Sequence, residues 1–195
     1  MPPVTTQQIA CQQVLQQDSS VFSIQWTDLP AGLPPFSGHD LLQRYLSDVQ
    51  RLTGGLISPA VSAQGVSFCL AGRLALLTFL PPETVSTDSG NGMALRICGG
   101  LLVQREQCER GELLLLTQQL PDGCQRVTLQ LSDYCPLLLG SPSPSLFRRW
   151  LYRLTQAAIH RLVTTRFLIR LYRNLAGPAA CIRTRQVTVR DGRQT

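Results

Sequence analysis

The chain has 195 residues and a mass of 21.5 kDa, enough for one domain with a sizeable core. Apolar residues make up 44% and charged residues 15%, which excludes disorder over most of the length. No apolar run approaches the ~18 residues of a membrane span. The first seventeen residues are polar, with no basic start and no apolar block, so no signal peptide is read and a cytoplasmic protein is expected.

All eighteen basic residues are arginine. Arginine offers a forked contact to phosphate or carboxylate. The plainer explanation is a GC-rich coding sequence, because Gln, Leu and Pro are also plentiful. The distribution says more than the total. Residues 1–144 hold seven Arg and eleven acids, a net of −4; residues 145–195 hold eleven Arg and one acid, Asp191, a net of +10. Such asymmetry points to an anionic partner, whether nucleic acid, an anionic lipid surface or the acidic part of the same chain. The seven cysteines (Cys11, Cys69, Cys98, Cys108, Cys124, Cys135, Cys181) and two histidines (His39, His160) include no close pair of the kind a zinc site uses. Reduced thiols are expected, and no metal or other cofactor.

Residues 1–20 form a Gln-rich segment in which TTQQIACQQVLQQ reads as a short helix or a loose lead-in. VFSIQWTDL from Val21 is strand-like before the prolines break it. Ser37 with Asp40 three residues on resembles a capping box. Leu41, Leu42, Tyr45, Leu46, Val49 and Leu52 then recur at helical spacing until Gly54-Gly55. From Val61 to about Leu139 the period becomes two. Val66, Phe68 and Leu70 alternate, RLALLTFL follows, PPETVSTDSGNG (81–92) reads as a loop, and Met93, Leu95 and Ile97 alternate again. ELLLLTQQL and CQRVTLQL flank the turn Pro121-Asp122-Gly123, and Val127, Leu129 and Leu131 should point to one buried face. The cluster Glu106, Glu109 and Glu112 with Arg105 and Arg110 reads as a solvated hairpin turn.

SPSPS (141–145) is a rigid joint. From Ser145 to Ala176 the chain has no Gly, Pro or acid after the joint, which predicts a helix of about 48 Å at ~1.5 Å per residue. Its apolar stripe is Phe147, Trp150, Leu154, Ala157, Arg161, Thr164, Leu168, Leu171 and Leu175, with Arg148, Arg166, Arg170 and Arg173 opposite. Residues 178–195 form a basic tail that could hold one edge strand around 182–189.

These elements predict an α+β fold: a curved, meander-like antiparallel sheet of five to seven strands packed on a long C-terminal amphipathic helix, as one domain over 21–177. The element order resembles the helix-grip arrangement of START-like lipid and small-molecule carriers, and a half-barrel with a packed helix reads the same way. The resemblance implies an apolar pocket between sheet and helix.

Arg161 is the single charge on the apolar stripe. A buried guanidinium needs an acceptor, either a carboxylate such as Asp133 or Glu112 or the polar end of a ligand; otherwise the side chain snorkels out to water. Arg161, Arg96, Thr164 and Thr165 are therefore the candidate ligand contacts. Arg148, Arg166, Arg170 and Arg173 are the candidate contacts to an anionic protein or membrane surface. His39-Asp40 resembles the metal-binding dipeptide of HD phosphohydrolases, but the further histidines of that family are missing. No G-x-S-x-G, G-x-x-x-x-G-K-[ST] or G-x-G-x-x-G motif occurs. Helix aromatics lie on the apolar side and no nucleic-acid-binding motif appears, so a nucleic-acid role is disfavoured. The sequence thus favours a non-enzymatic carrier of an apolar small molecule or lipid; the alternative is an interaction protein docking its Arg-rich helix face and basic tail on an acidic partner, an anionic membrane surface or nucleic acid.

Overall fold

Period-two alternation governs most of the chain, and the computed structural model turns it into one large sheet. It describes residues 7–87, 90–104, 109–139, 158–177, 180–187, 189–190 and 193–194. In chain order the elements are β1 (Gln7–Leu15), β2 (Val21–Leu29), α1 (Gly38–Leu52), β3 (Ile57–Ser62), β4 (Gly65–Leu70), β5 (Leu74–Phe79), β6 (Glu83–Thr87), β7 (Gly90–Gly99), β8 (Glu112–Gln119), β9 (Gln125–Tyr134), α2 (Ala158–Ala176) and β10 (Ile182–Gln186). A short ladder of β11 (Val189–Arg190) with β12 (Arg193–Gln194) closes the described tail. The fold is α+β, with a mostly antiparallel sheet and a C-terminal helix, as the pattern predicts.

The sheet is larger than the five to seven strands expected. Ten strands run in the order β10-β1-β2-β9-β8-β7-β5-β4-β3, with β6 also on β7. Two misread segments account for much of the difference. The Gln-rich segment is strand β1, not a helix. It pairs antiparallel with β2 and parallel with β10, placing Gln7, Ile9 and Cys11 opposite Ile182, Thr184 and Gln186. The stretch read as a loop over 81–92 contains β6, whose Glu83–Thr87 pair with Gly90–Ala94 of β7. β5 takes the same side of β7 further along, at Ile97 and Gly99. The tail strand β10 falls where an edge strand was anticipated.

α1 starts as its sequence demands. Ser37 has extended backbone angles, its Oγ accepts the Asp40 amide at 3.0 Å, and Asp40 Oδ2 accepts from the Ser37 hydroxyl. The helix seats its first turn on β7 with almost no clearance. A Cβ on Gly38 would lie 2.5 Å from the Gly92 carbonyl carbon, so both positions need glycine. The Gly38 amide donates to Asn91 Oδ1 at 2.8 Å, and the Thr117 hydroxyl lies 3.1 Å from the carbonyl oxygens of Phe36 and Asn91.

The buried face of α2 is Val163, Thr164, Phe167, Leu168 and Leu171. At 100° per residue this arc is centred well away from Arg161, and Arg161 is exposed. The expected interior placement of Arg161 is therefore corrected: it stands at the flank of the packed face. The first part of the predicted long helix, including Phe147, Arg148, Trp150, Leu154 and Ala157, lies outside the described residues. On the sheet, Val127, Leu129 and Leu131 are buried as predicted. No helix among the described residues is long and apolar enough to cross a membrane.

Candidate functional site

The helix-facing side of the sheet follows from register. Ser23, Leu131, Leu113 and Leu95 are successive partners across β2, β9, β8 and β7; Gln25, Leu129, Leu115 and Met93 form the next row. On β1, Cys11 and Gln13 stand opposite Gln25 and Ser23. One half of this face, on β4, β5 and β7 to β9, is therefore apolar, mostly leucine and phenylalanine. The other half, on β10, β1 and β2, carries Ser, Thr, Gln and Cys beside the buried Ile9 and Val21.

Over the apolar half lies a cleft of about 610 Å³ between sheet, α1 and α2. Its walls include Phe68, Leu77, Phe79, Leu113 and Leu131 from the strands, Tyr45 and Val49 from α1, and Val163 from α2. Tyr45 packs edge-on to Phe167 with ring centres 5.4 Å apart, and Phe68 meets Phe79 at 5.3 Å. Leu101, Leu137 and Ile159 also line the cleft and are roughly half exposed, at 48%, 47% and 49%. Among the described residues they give it an apolar, uncovered mouth.

Polar groups in the cleft are few and uncharged. The Tyr134 hydroxyl donates to the Leu102 carbonyl at 2.9 Å. Burial pushes the Tyr45 phenol up to about 12, opposed by the neighbouring Thr164 hydroxyl, so it stays protonated. His160, half-buried among apolar side chains, is pushed down to about 4 by loss of hydration and is a neutral imidazole at pH 7. In the sequence, His39 and His160 are too few for a metal site or relay without distant acids to join them. The i+3 and i+7 relation of His160 to Val163 and Phe167 is the signal that places it on the packed face.

The predicted contacts fall in different places. Thr164 is buried under α2. Its hydroxyl lies beside the Tyr45 phenol, whereas the buried Ser23 hydroxyl has no hydrogen-bond partner among the described residues. Thr165 donates to Gln25 Oε1 at 2.8 Å, and Arg161 reaches the Cys11 sulfur at 3.8 Å. Both line a groove of about 540 Å³ against β1 and β10, over the polar half of the face and apart from the cleft. Neither expected carboxylate partner is used: Asp133 and Glu112 lie within ion-pair range of Arg110 and Arg96 instead.

Arg96 is on the opposite side of β7, exposed and paired with Glu83 at 3.1 Å. It is not a polar handle for the cleft. Of the Arg face, Arg166 and Arg173 are exposed, Arg148 lies outside the described residues, and Arg170 turns inward to Asp48 of α1 at 3.5 Å. The sequence reading missed the buried polar row Ser23, Gln25 and Thr27; its trace was the alternation of those residues with Phe22, Ile24 and Trp26.

Protein-family models, curated proteins and solved structures give no significant match to this chain. The geometry alone carries the functional argument.

Proposed function

We propose that the protein is a non-enzymatic carrier of an apolar small molecule or lipid, held in the cleft between sheet and helices. The observation that carries this reading is the 610 Å³ cleft with an apolar mouth at Leu101, Leu137 and Ile159. Ligand pockets are typically of this size, mostly apolar, with a few placed polar groups. Half-exposed apolar side chains gathered at one opening mark an interaction or ligand-entry site. His160 and Tyr45 supply neutral hydrogen-bonding groups, which suit a ligand with an uncharged polar end.

Native mass spectrometry of the purified protein tests the reading. An organic-extractable adduct in the wild type, depleted in Leu102→Trp, is expected, because indole added at the half-buried edge of the cleft fills ligand space. An unliganded wild type that also takes up no added apolar probe contradicts it.

A second reading rests on Arg166 and Arg173, which are exposed on α2 and make no ion pair among the described residues. They would dock on an acidic protein or anionic membrane surface. Retention on anionic vesicles that falls steeply with salt, and falls further in the Arg166→Gln/Arg173→Gln double variant, is its expected signature.

A further inference from the structure

We propose that the groove beside Arg161 is a second binding site, independent of the apolar cleft, for a small carboxylate with a short apolar tail. The polar half of the helix-facing sheet is built to contact something. Ser23 is 1% exposed and its hydroxyl has no partner among the described residues. It borders a space of about 10 Å³ together with Cys11, Gln25 and Arg161, room for one water or one ligand oxygen. Gln25, also 1% exposed, accepts from Thr165 through its Oε1, which leaves its amide nitrogen as a donor. The Arg161 guanidinium makes one described contact, to the Cys11 sulfur at 3.8 Å, and sulfur is a weak acceptor.

The larger groove continues from this point. No acidic side chain lines it among the described residues, and its other polar walls are Gln13, Thr184 and Gln186. Val14, Leu15 and Leu162 give it an apolar flank, with Val14 and Leu162 at 40% and 49% exposure. A planar guanidinium matches a carboxylate in a two-point fork. One guanidinium among neutral donors suits a single negative charge better than a phosphate dianion. The exposed leucine and valine suit a tail of a few carbons.

Isothermal titration of the full chain with hexanoate and with hexanamide tests this. Hexanoate should bind, and hexanamide, which keeps the tail and loses the charge, should bind at least about tenfold more weakly. Arg161→Gln should lose about tenfold or more for hexanoate, Arg161→Lys should recover part of it, and Ser23→Ala should lose a few-fold. Leu102→Trp, in the cleft, should leave hexanoate binding unchanged. No binding of hexanoate by the wild type up to about 10 mM, equal binding of the two probes, or hexanoate binding insensitive to Arg161→Gln overturns the proposal. If Arg161→Gln does not fold, the comparison of the two probes on the wild type decides.

Discussion

The two halves of the helix-facing sheet differ in what they ask of the helices that cover them. Over β7 and β8, where α1 packs, the inward side chains are Leu95, Leu113 and Leu115, continued on β9 by Leu129 and Leu131, and stability there is area removed from water and density of packing. Over β1 and β2, where α2 packs, they include Cys11, Gln13, Ser23 and Gln25, where each buried polar atom must find a partner or carry a desolvation penalty. Ser23 has none among the described residues, and Gln25 has one. An apolar half that leaves a cleft and a polar half that leaves a donor unused are different kinds of incompleteness. The first fits an apolar guest, the second an acceptor.

Substitution should separate the halves by size of effect. Leu129→Ala, 2% exposed at the centre of the apolar half, should cost ~2–5 kcal/mol in urea denaturation. A loss under about 1 kcal/mol would mean that this half is loosely packed. Gly92→Ala tests the seat of α1 on the same half. Its new methyl would lie 2.2 Å from the Leu115 carbonyl oxygen, with Gly38 already against Gly92, so a comparable or larger loss is expected.

How much of this was legible in sequence depended on whether local signals agreed. Ser37, Asp40 and the leucine spacing specify α1 without help, and the Pro121-Asp122-Gly123 turn with clean alternation specifies β8 and β9; Gly123 has the φ of +82° such a turn needs. β1 was opaque because its inward Gln13 carries no apolar mark, and only the neighbouring row of Ser23 and Gln25 makes that face consistent. For α2 two stripes compete, one through Arg161 and one through His160, Val163 and Phe167. Packing of Phe167 on Tyr45 chooses the second, which spacing alone cannot do. The cleft is a property of which leucines fail to meet, so no motif announces it.

The titration of His160 sharpens the comparison at smaller amplitude. Its imidazole takes a proton near 6.5 in the unfolded chain and, with burial stripping its hydration, only at about 4 when folded. Between those values the unfolded state binds more protons, so stability should fall as pH drops from about 6.5 towards 4, with no contribution above 6.5. The loss should be on the order of 1–3 kcal/mol. His160→Leu should flatten the stability profile in that window; an unchanged profile would place the imidazole in water. Smallest of all, Ser23→Ala should leave stability within about 0.5 kcal/mol of wild type or raise it, since it deletes a buried hydroxyl that has no described partner. A loss above about 1 kcal/mol would show that the hydroxyl is bonded.

Fluorescence titration with N-phenyl-1-naphthylamine, a neutral apolar probe, tests the carrier reading most directly when wild type, Leu102→Trp and Arg161→Gln are measured side by side. Saturable enhancement in the wild type, at least about tenfold weaker in Leu102→Trp and unchanged in Arg161→Gln, is the predicted result. No saturable binding, or binding that depends on Arg161 and ignores Leu102, would contradict it.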